Sequence, residues 1–296
     1  MVHNVSNQHV YFMDKENTPV LTAESGDTLV YHTLDCFGGQ ITSEQQTVDE
    51  LDWSILNPAC GPVYINGAAP GDVLKVSIQS IEVDDHGTMA CIPNEGLFAE
   101  RMDHSLVRIL PVKDGTVTFN DQISFPANPM IGVIGVAPAG EKIPTGTPGH
   151  HGGNMDNNKI TAGTVLYLPV FQPGALLAMG DLHARMGDGE ICDTGVEIAG
   201  TVTVQVEVIK GFTLSNPVLE TKDTLYAVAS EKTLAEAVKT AACDMAEIVM
   251  RKTGLALDQT NMLMSAVGNT EICQLVDPLI TSRFGMPRTI LGGLLD

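Results

Sequence analysis

The sequence has no apolar run that approaches the ~20 residues an α-helix needs to span a bilayer. It also lacks a basic segment followed by an apolar run near residue 1, which is the pattern of a secretory signal peptide. Because neither targeting feature is present, we expect a cytoplasmic protein.

Basic residues are scarce as well. Only 16 Lys and Arg stand against 36 Asp and Glu, so the formal net charge is -20. This charge repels phosphate backbones and anionic lipid headgroups, and binding to nucleic acid or to a membrane surface is therefore not expected. A small neutral or cationic substrate, or a metal cation, fits the charge better.

The six cysteines are widely spaced, and no two of them form a Cys-x-x-Cys pair. An even number of cysteines permits disulfides, but a chain of 296 residues can bury a core large enough to fold without them. We therefore expect buried free thiols. The sequence also has no internal repeat and no low-complexity linker.

Short alternating segments separated by turns fill the first two thirds of the chain. Val73–Val83 and Val196–Val208 alternate apolar with polar residues, which predicts half-buried strands. Lys113-Asp114-Gly115 separates two more such segments, and an Asp-Gly pair is a strong hairpin signal. These patterns predict a mainly β part, built as a sandwich or barrel, over residues 1–210.

The C-terminal part of the sequence has a different pattern. Thr233–Thr253 is alanine-rich, has apolar residues three and four apart and is followed by Gly254, so a helix is predicted. A second helix is predicted from Asp258, a good N-cap, to Val267. Residues 211–296 are therefore predicted to form an α/β portion of two helices and short strands packed on the β part, which makes the chain α+β overall.

The stretch Met179–Glu197, MGDLHARMGDGEICDTGVE, is rich in acids and glycines and lies between two predicted strands. Loops held by a rigid sheet are common positions for chemistry. If Asp181 begins or ends a strand, Asp181 and His183 point to the same face, because side chains alternate along a strand. An Asp beside a His suits zinc or a similar divalent metal. The alternative is a solvent-facing hairpin loop whose acids cap turns.

Three further carboxylates extend this candidate site. Glu190 lies in a Gly-Asp-Gly-Glu turn, and Glu197 lies in a strand predicted to run back beside the first. Asp35 follows the predicted strand Asp27–Leu34 and precedes a Gly-Gly turn, so it is either a metal or substrate carboxylate or a turn cap.

The longest irregular segment, Ala137–Asn158, contains two adjacent histidines between glycine pairs. Long loops inside a compact domain are usually functional or disordered. His150 and His151 could reach a site with little steric hindrance, and we expect only one of them to point inward. The alternative is a mobile, solvated loop.

Six motifs occur in order along nearly the whole chain. They are DCFGGQI at 35–41, NP at 57–58 with GPVY at 61–64, GAAPGD at 67–72, MIGVIGVAP at 130–138, GHHGGNMD at 149–156, and GDLHA at 180–184 through GDGE at 187–190 with Glu197. With these motifs the chain resembles the acetamidase/formamidase family, bacterial and fungal hydrolases of short amides.

The resemblance implies a β-rich fold with an appended α/β portion, a divalent metal and an oligomer. We expect zinc, with calcium as a candidate second ion, a small neutral amide as substrate, and a homodimer or larger homo-oligomer. Met186 departs from the family pattern, in which Gln is common, as does the pair Asp193-Thr194, near which the family has Gly-Thr. His150 replaces the second proline of a Pro-Gly-Pro-His run. These departures bear on substrate range more than on reaction type.

On this basis we predict metal-dependent hydrolysis of acetamide or formamide to a carboxylic acid and ammonia. Zinc would polarise the carbonyl and lower the pKa of its bound water towards ~7. The predicted metal ligands are Asp35, Asp181, His183 and Glu197. Glu190 is the predicted general base, which passes a proton to the leaving ammonia. The predicted donors to the carbonyl or oxyanion are His150, His151 and Asn154.

Three alternatives stay open. A cysteine nucleophile at Cys36, Cys60 or Cys192 is disfavoured because none has a Glu-Lys-Cys setting. A γ-lactam hydrolase of the same family would open cyclic amides. A cupin-like β protein would bind a metal or ligand without turnover, and it would release no ammonia from an amide at any metal loading.

Overall fold

The computed structural model describes residues 1–296 and consists mainly of strands. The strands, in chain order, are β1 (Val2–Asn4), β2 (His9–Val10), β3 (Phe12–Met13), β4 (Leu21–Ala23), β5 (Thr28–Thr33), β6 (Ala59–Ile65), β7 (Val73–Val83), β8 (His86–Cys91), β9 (Leu106–Lys113), β10 (Thr116–Thr118), β11 (Ser124–Pro126), β12 (Met130–Gly135), β13 (Ile143–Pro144), β14 (Gly152–Asn154), β15 (Val165–Pro169), β16 (Leu177–His183), β17 (Glu197–Ile198), β18 (Gly200–Ile209), β19 (Val218–Glu220), β20 (Thr224–Glu231), β21 (Asn269–Gln274) and β22 (Ile280–Pro287). The helices are α1 (Leu234–Thr253), α2 (Leu257–Val267) and α3 (Arg288–Leu291).

Two large sheets contain all strands except β3 and β13, which pair with each other. The nine-stranded sheet has the order β1-β5-β18-β7-β15-β19-β20-β22-β21. The eleven-stranded sheet has the order β11-β10-β9-β8-β17-β16-β12-β14, and β6 joins it by pairing with β16, β2 and β4. The prediction of a mainly β fold with a C-terminal helical portion is confirmed.

The main core contains side chains from both large sheets, which therefore pack as a sandwich. It is one apolar cluster of 35 buried residues. On β18, Val202, Val204 and Val206 are buried while the residues between them are not, so the alternation in the sequence corresponds to one face in the core. Ile131 and Ile134 on β12 come from the other sheet, and this strand is buried along its whole length. Apolar burial of this kind is the main driving force of folding.

Helix α1 packs on strands β20 and β22, and its buried residues are Ala237, Ala241, Met245, Ile248 and Val249. The Thr233 hydroxyl accepts a hydrogen bond from the amide of Glu236 at 3.2 Å, and Gly254 ends the helix with a positive φ of 72°. Helix α2 begins at Leu257 and its N-cap is Ala256, so the prediction of Asp258 as the N-cap is wrong. Asp258 lies in the first turn, where the helix dipole stabilises its negative charge. None of the helices is long and apolar enough to cross a membrane.

The C-terminal strands extend the nine-stranded sheet and also reach the loop that follows β16. Arg283 on β22 is fully buried, and its guanidinium lies 2.7 Å from both the Asp188 and the Glu271 carboxylates. The same guanidinium donates to the Asn157 side-chain oxygen at 2.8 Å. Residues 211–296 thus contact Asn157 and Asp188 of the β-rich portion. The division of the chain into a unit of residues 1–210 and a unit of residues 211–296 stays a prediction.

Candidate functional site

Strand β16 lies at the centre of the candidate site. It pairs with β12 on one side and β17 on the other, both antiparallel. The register with β17 sets His183 opposite Glu197, which confirms the prediction that the Glu197 strand returns beside the first. Asp181 and His183 therefore come from one strand and Glu197 from its neighbour.

His183 is surrounded by four carboxylates. Its Nε2 atom lies 3.1 Å from Glu197 Oε2, 3.4 Å from Asp181 Oδ1 and 3.6 Å from Asp156 Oδ1. Its Nδ1 atom lies 3.9 Å from Glu190 Oε1. All five side chains are buried, with residue exposures of 1–6%. A cluster with this much buried negative charge needs compensation by a proton or a cation.

Three of these carboxylate residues have a left-handed backbone. The φ angles are 39° at Asp156, 54° at Asp181 and 45° at Glu190. Non-glycine residues rarely adopt such angles, and each costs on the order of 1–3 kcal/mol. Backbone strain of this kind is concentrated at functional sites, so its presence at three neighbouring carboxylates supports a functional role for the cluster.

Burial shifts the protonation of the carboxylates. It raises the pKa of Asp156 to about 7 and that of Glu197 to about 8, and it raises the pKa of Glu190 well above its usual value. Burial lowers the pKa of His183, but the charges of Glu197 and Asp181 more than offset it, so the net pKa lies well above the usual value. Burial acts to raise the pKa of Asp181, but the charge of His183 and the hydrogen bonds with His183 and Glu197 together lower it below its usual value.

Several polar atoms at the centre of the cluster have no hydrogen-bond partner. They are Asp156 Oδ1, Asp181 Oδ1, Glu197 Oε2 and His183 Nδ1. Two groups of side chains could hold a metal ion, and in each the potential ligand atoms lie within 4.8 Å of one another. The groups are Cys36 with Asp181 and Glu197, and Asp156 with His183 and Glu190. Oxygen, nitrogen and sulfur donors in this combination fit a divalent cation such as zinc.

The structure brings together three of the four predicted ligands, Asp181, His183 and Glu197. Asp35 is outside both groups, and its carboxylate accepts a hydrogen bond from the Gly39 amide at 2.7 Å, as a turn cap would. Burial and the charge of Asp181 raise the pKa of Asp35, so its carboxylate remains near the cluster and its ligand role stays a prediction.

Asp156, Asp277 and a ligand role for Cys36 are parts of the candidate site that the sequence did not predict, since Cys36 was considered only as a nucleophile. Cys36 follows Asp35 directly, and Asp156 is the last residue of the GHHGGNMD motif, so both stood in motifs already recognised. Asp277 lies in the turn before β22, and its carboxylate accepts a hydrogen bond from Asn154 Nδ2 at 3.2 Å. No local pattern pointed to Asp277.

The two adjacent histidines point in different directions. His150 is exposed, and its Nδ1 lies 2.6 Å from Asn216 Oδ1, whose amide donates to Asp244 on α1. His151 is buried, neither of its ring nitrogens has a partner, and burial lowers its pKa to about 4. The expectation that only one of the pair points inward is confirmed.

Two cavities are lined by predicted site residues, and one of them reaches the cluster through Glu190. One, of about 330 Å³, is lined by Glu190 and Gly195 together with apolar side chains that include Phe119, Phe125 and Met186. The other, of about 560 Å³, is lined by His150 and His151. Through the cavity of about 330 Å³, a small molecule could reach the buried Glu190.

The raised pKa values predict how stability changes with pH in protein freed of cations. Unfolded carboxyls titrate near pH ~4. Folded Asp156 and Glu197 keep their protons to about 7 and about 8, so the folded state binds more protons between these values. The free energy of unfolding therefore falls as pH rises. We expect the Tm of chelator-treated protein to fall from about pH 6.5 to about pH 8 in calorimetry.

The lower limit of this window matters because His151, with a folded pKa of about 4, has the opposite effect below the ordinary histidine pKa of 6.5. The double variant Asp156→Asn, Glu197→Gln should show a shallower decrease over the same window. A Tm that is constant or rises in the wild type would contradict the assigned shifts.

The comparisons with known proteins agree with one another. The family model of the acetamidase/formamidase family matches residues 9–145 and 139–291. The structure is similar to acetamidase from Bacillus halodurans, with a TM-score of 0.96 and 43% identity over 98% of this chain and 100% of that one. It is also similar to acetamidase from Yersinia enterocolitica, with a TM-score of 0.94 and 34% identity over 99% of this chain and 94% of that one.

Two further proteins resemble the chain at lower sequence identity. Formamidase from Methylophilus methylotrophus is 26% identical over 267 residues, which are 68% of this chain and 65% of that protein. The chain thus spans just under two thirds of the length of this relative. A gamma lactamase from Delftia acidovorans has a TM-score of 0.68 and 22% identity over 96% of this chain and 89% of that one, a likeness in fold alone.

Proposed function

The chain belongs to the acetamidase/formamidase family, and from this premise we propose that it hydrolyses short linear amides to a carboxylic acid and ammonia with the help of a divalent cation. The observation that carries the proposal is the buried histidine among four carboxylates, three of them on left-handed backbone. The family motifs supply all five of these side chains.

Asp181, His183 and Glu197 would hold the cation, with Asp156 as a further oxygen donor. Their unpartnered buried atoms support this assignment. Asp35 stays in the proposal as a predicted ligand, and Cys36 is the thiol beside it. Zinc suits this mixed donor set. When bound, it would polarise a carbonyl and lower the pKa of a bound water towards ~7.

Glu190 would transfer the proton. It is buried, its pKa is raised by burial, and it lines the cavity of about 330 Å³. A carboxylate at this position could accept a proton from the attacking water and then give it to the leaving ammonia. The amide nitrogen leaves poorly without that proton, so this transfer is a large part of the chemistry.

His151 would orient the amide. Its ring is neutral near pH 7, since its pKa is about 4, and a neutral imidazole still has one N–H to donate. Both ring nitrogens are buried and unpartnered, so a substrate carbonyl or oxyanion could accept this hydrogen bond. His150 has Asn216 as its partner, and its predicted oxyanion role has no comparable support.

The thiols support this mechanism over a cysteine nucleophile. Burial raises the pKa of Cys60 to about 11 and of Cys192 to about 12, and that of Cys36 lies well above its usual value. Thiols with such pKa values are almost entirely protonated near pH 7, which makes them too slow to serve as the nucleophile of a catalytic cycle.

The test is ammonia release from formamide and acetamide before and after chelator treatment, with zinc added back. We expect release that the chelator removes and zinc restores. A γ-lactam is followed by the amino acid formed on ring opening, because it releases no ammonia. Opening of the γ-lactam without release from either linear amide would favour the cyclic-amide alternative. No reaction with any of the three would favour a binding protein.

The Gly132→Ala variant tests how closely the site is packed. A Cβ atom at Gly132 would lie 2.5 Å from Asp156 Oδ1 and 2.6 Å from Asp181 Oδ2, so both carboxylates must move. A displacement of ~1 Å in a catalytic group can cost ~10²-fold in rate, and we expect a loss of this size in kcat/KM together with weaker cation binding.

Gly140→Ala is the matched control, because nothing lies within 4 Å of its added Cβ. This control should keep full activity. Full activity in Gly132→Ala would show that these two carboxylates do not hold the reacting groups. A cytoplasmic location and a homo-oligomeric assembly stay predictions.

A further inference from the structure

Cys91 and Cys192 lie side by side although they are 101 residues apart in the chain. Their Sγ atoms are 3.2 Å apart, and both residues are partly exposed. Cys91 is the last residue of β8, and Cys192 lies in the loop between β16 and β17, two residues after Glu190. Because disulfide sulfurs are ~2.05 Å apart, a small movement of either side chain would allow a bond to form.

Backbone contacts around the two thiols hold them in this position. The Ala90 amide donates to Thr194 Oγ1 at 3.3 Å, and the Leu97 amide donates to the Ile191 carbonyl at 2.9 Å. A Cβ atom at Gly96 would lie 2.9 Å from that same carbonyl, so the chain after β8 packs directly on the loop. The loop is thus held against the end of β8 by contacts on both sides of Cys192.

We propose that Cys91 and Cys192 form a reversible redox site that a small-molecule disulfide, such as oxidised glutathione, converts into an intramolecular disulfide. The Cys91 thiol loses its proton and attacks the glutathione disulfide, which releases one reduced glutathione and leaves a mixed disulfide on Cys91. The Cys192 thiol, 3.2 Å away, then gives its proton to the leaving glutathione sulfur and attacks the Cys91 sulfur, which releases the second reduced glutathione. Two electrons and two protons pass from the protein to glutathione, and a dithiol reverses the reaction.

The bridge would tie the loop that carries Glu190 to the strand β8. Cys192 and Glu190 line the same cavity of about 330 Å³, so oxidation fixes one wall of that cavity. A bridge across 101 residues also lowers the conformational entropy of the unfolded chain. From the usual stabilisation by long-loop disulfides, we expect the Tm to rise by about 5–10 °C on oxidation.

The experiment incubates the purified full chain with oxidised glutathione and blocks the remaining thiols by alkylation. We expect the intact mass to show the loss of two hydrogen atoms and two fewer alkyl groups. A non-reducing peptide map should contain one linked pair of peptides, with Cys91 and Cys192. A dithiol should restore both the mass and the original Tm.

The variants Cys91→Ser and Cys192→Ser should each lose the link and the rise in Tm. Cys243→Ser is the matched control, since Cys243 is exposed on α1, and it should keep both. If oxidation links other cysteines, forms only mixed disulfides, or raises the Tm equally in the serine variants, the proposal is wrong. Should a serine variant fail to fold, the peptide map of the wild type decides alone.

Discussion

The His183→Ala variant is expected to lose both divalent-cation binding and amide hydrolysis. His183 Nε2 lies within 3.6 Å of oxygen atoms from three buried carboxylates, so its removal takes away the only imidazole donor at the centre of the cluster. The cation would contribute several kcal/mol of transition-state stabilisation, and each ~1.4 kcal/mol is a factor of ten in rate. We therefore expect kcat/KM to fall by ~10³-fold or more.

Two measurements separate the causes of this loss. Atomic spectroscopy gives the cation bound per chain, and ammonia release gives the activity of the same sample. His86→Ala is the matched control, because His86 is exposed on β8 beside Asp85, and both quantities should stay at the wild-type level. Activity that survives in His183→Ala would exclude the proposed cation site.

The Glu190→Gln variant is expected to keep its cation and lose its turnover. Glutamine has nearly the same shape as glutamate but cannot accept and return a proton, so the proposed transfer to the leaving ammonia fails. General acid–base catalysis is usually worth ~10²–10⁴-fold, and we expect kcat to fall within that range. KM should change little, because the walls of the cavity remain.

The cation content of Glu190→Gln decides between two roles. The Glu190 carboxylate belongs to one of the two groups that could hold a metal, so a variant that loses its cation would identify Glu190 as a ligand rather than the base. Glu82→Gln, at an exposed position on β7, is the matched control and should behave as the wild type. Wild-type turnover in Glu190→Gln would exclude both roles.

The sequence predicted the part of the site that depends on local geometry. Asp181 and His183 are two residues apart on one strand, and Glu197 lies on the strand that pairs with it. Strand alternation and a short connection are enough to bring such residues together. The α1 helix was predicted for a similar reason, since its N-cap and its C-terminal glycine are adjacent to the apolar pattern they delimit.

The parts that the sequence did not predict depend on long-range pairing. Asp156 reaches the cluster because β14 pairs with β12, which in turn pairs with β16. Asp277 reaches Asn154 across 123 residues of sequence. Neither contact leaves a periodic pattern in the sequence. The left-handed backbone of Asp156 and Asp181 could not be predicted either, because aspartate usually has a negative φ.

The direction of each histidine in the Gly-His-His-Gly run was also set by tertiary contacts. His150 has a partner in Asn216, which itself is held by Asp244 on α1. A predicted loop with two neighbouring histidines cannot specify which one has such a partner. The contact with Asn216, and through it with α1, therefore sets which of the two histidines is buried.

The fully buried Arg283 makes the acidic cluster sensitive to mutations far from its own motifs. Its guanidinium contacts Asp188 and Asn157, which flank the cluster, and Glu271 on β21. A substitution that removes the guanidinium would leave the Asp188 carboxylate without its cation and Asn157 without this donor. A change in a C-terminal strand would therefore reach the loop that carries Glu190.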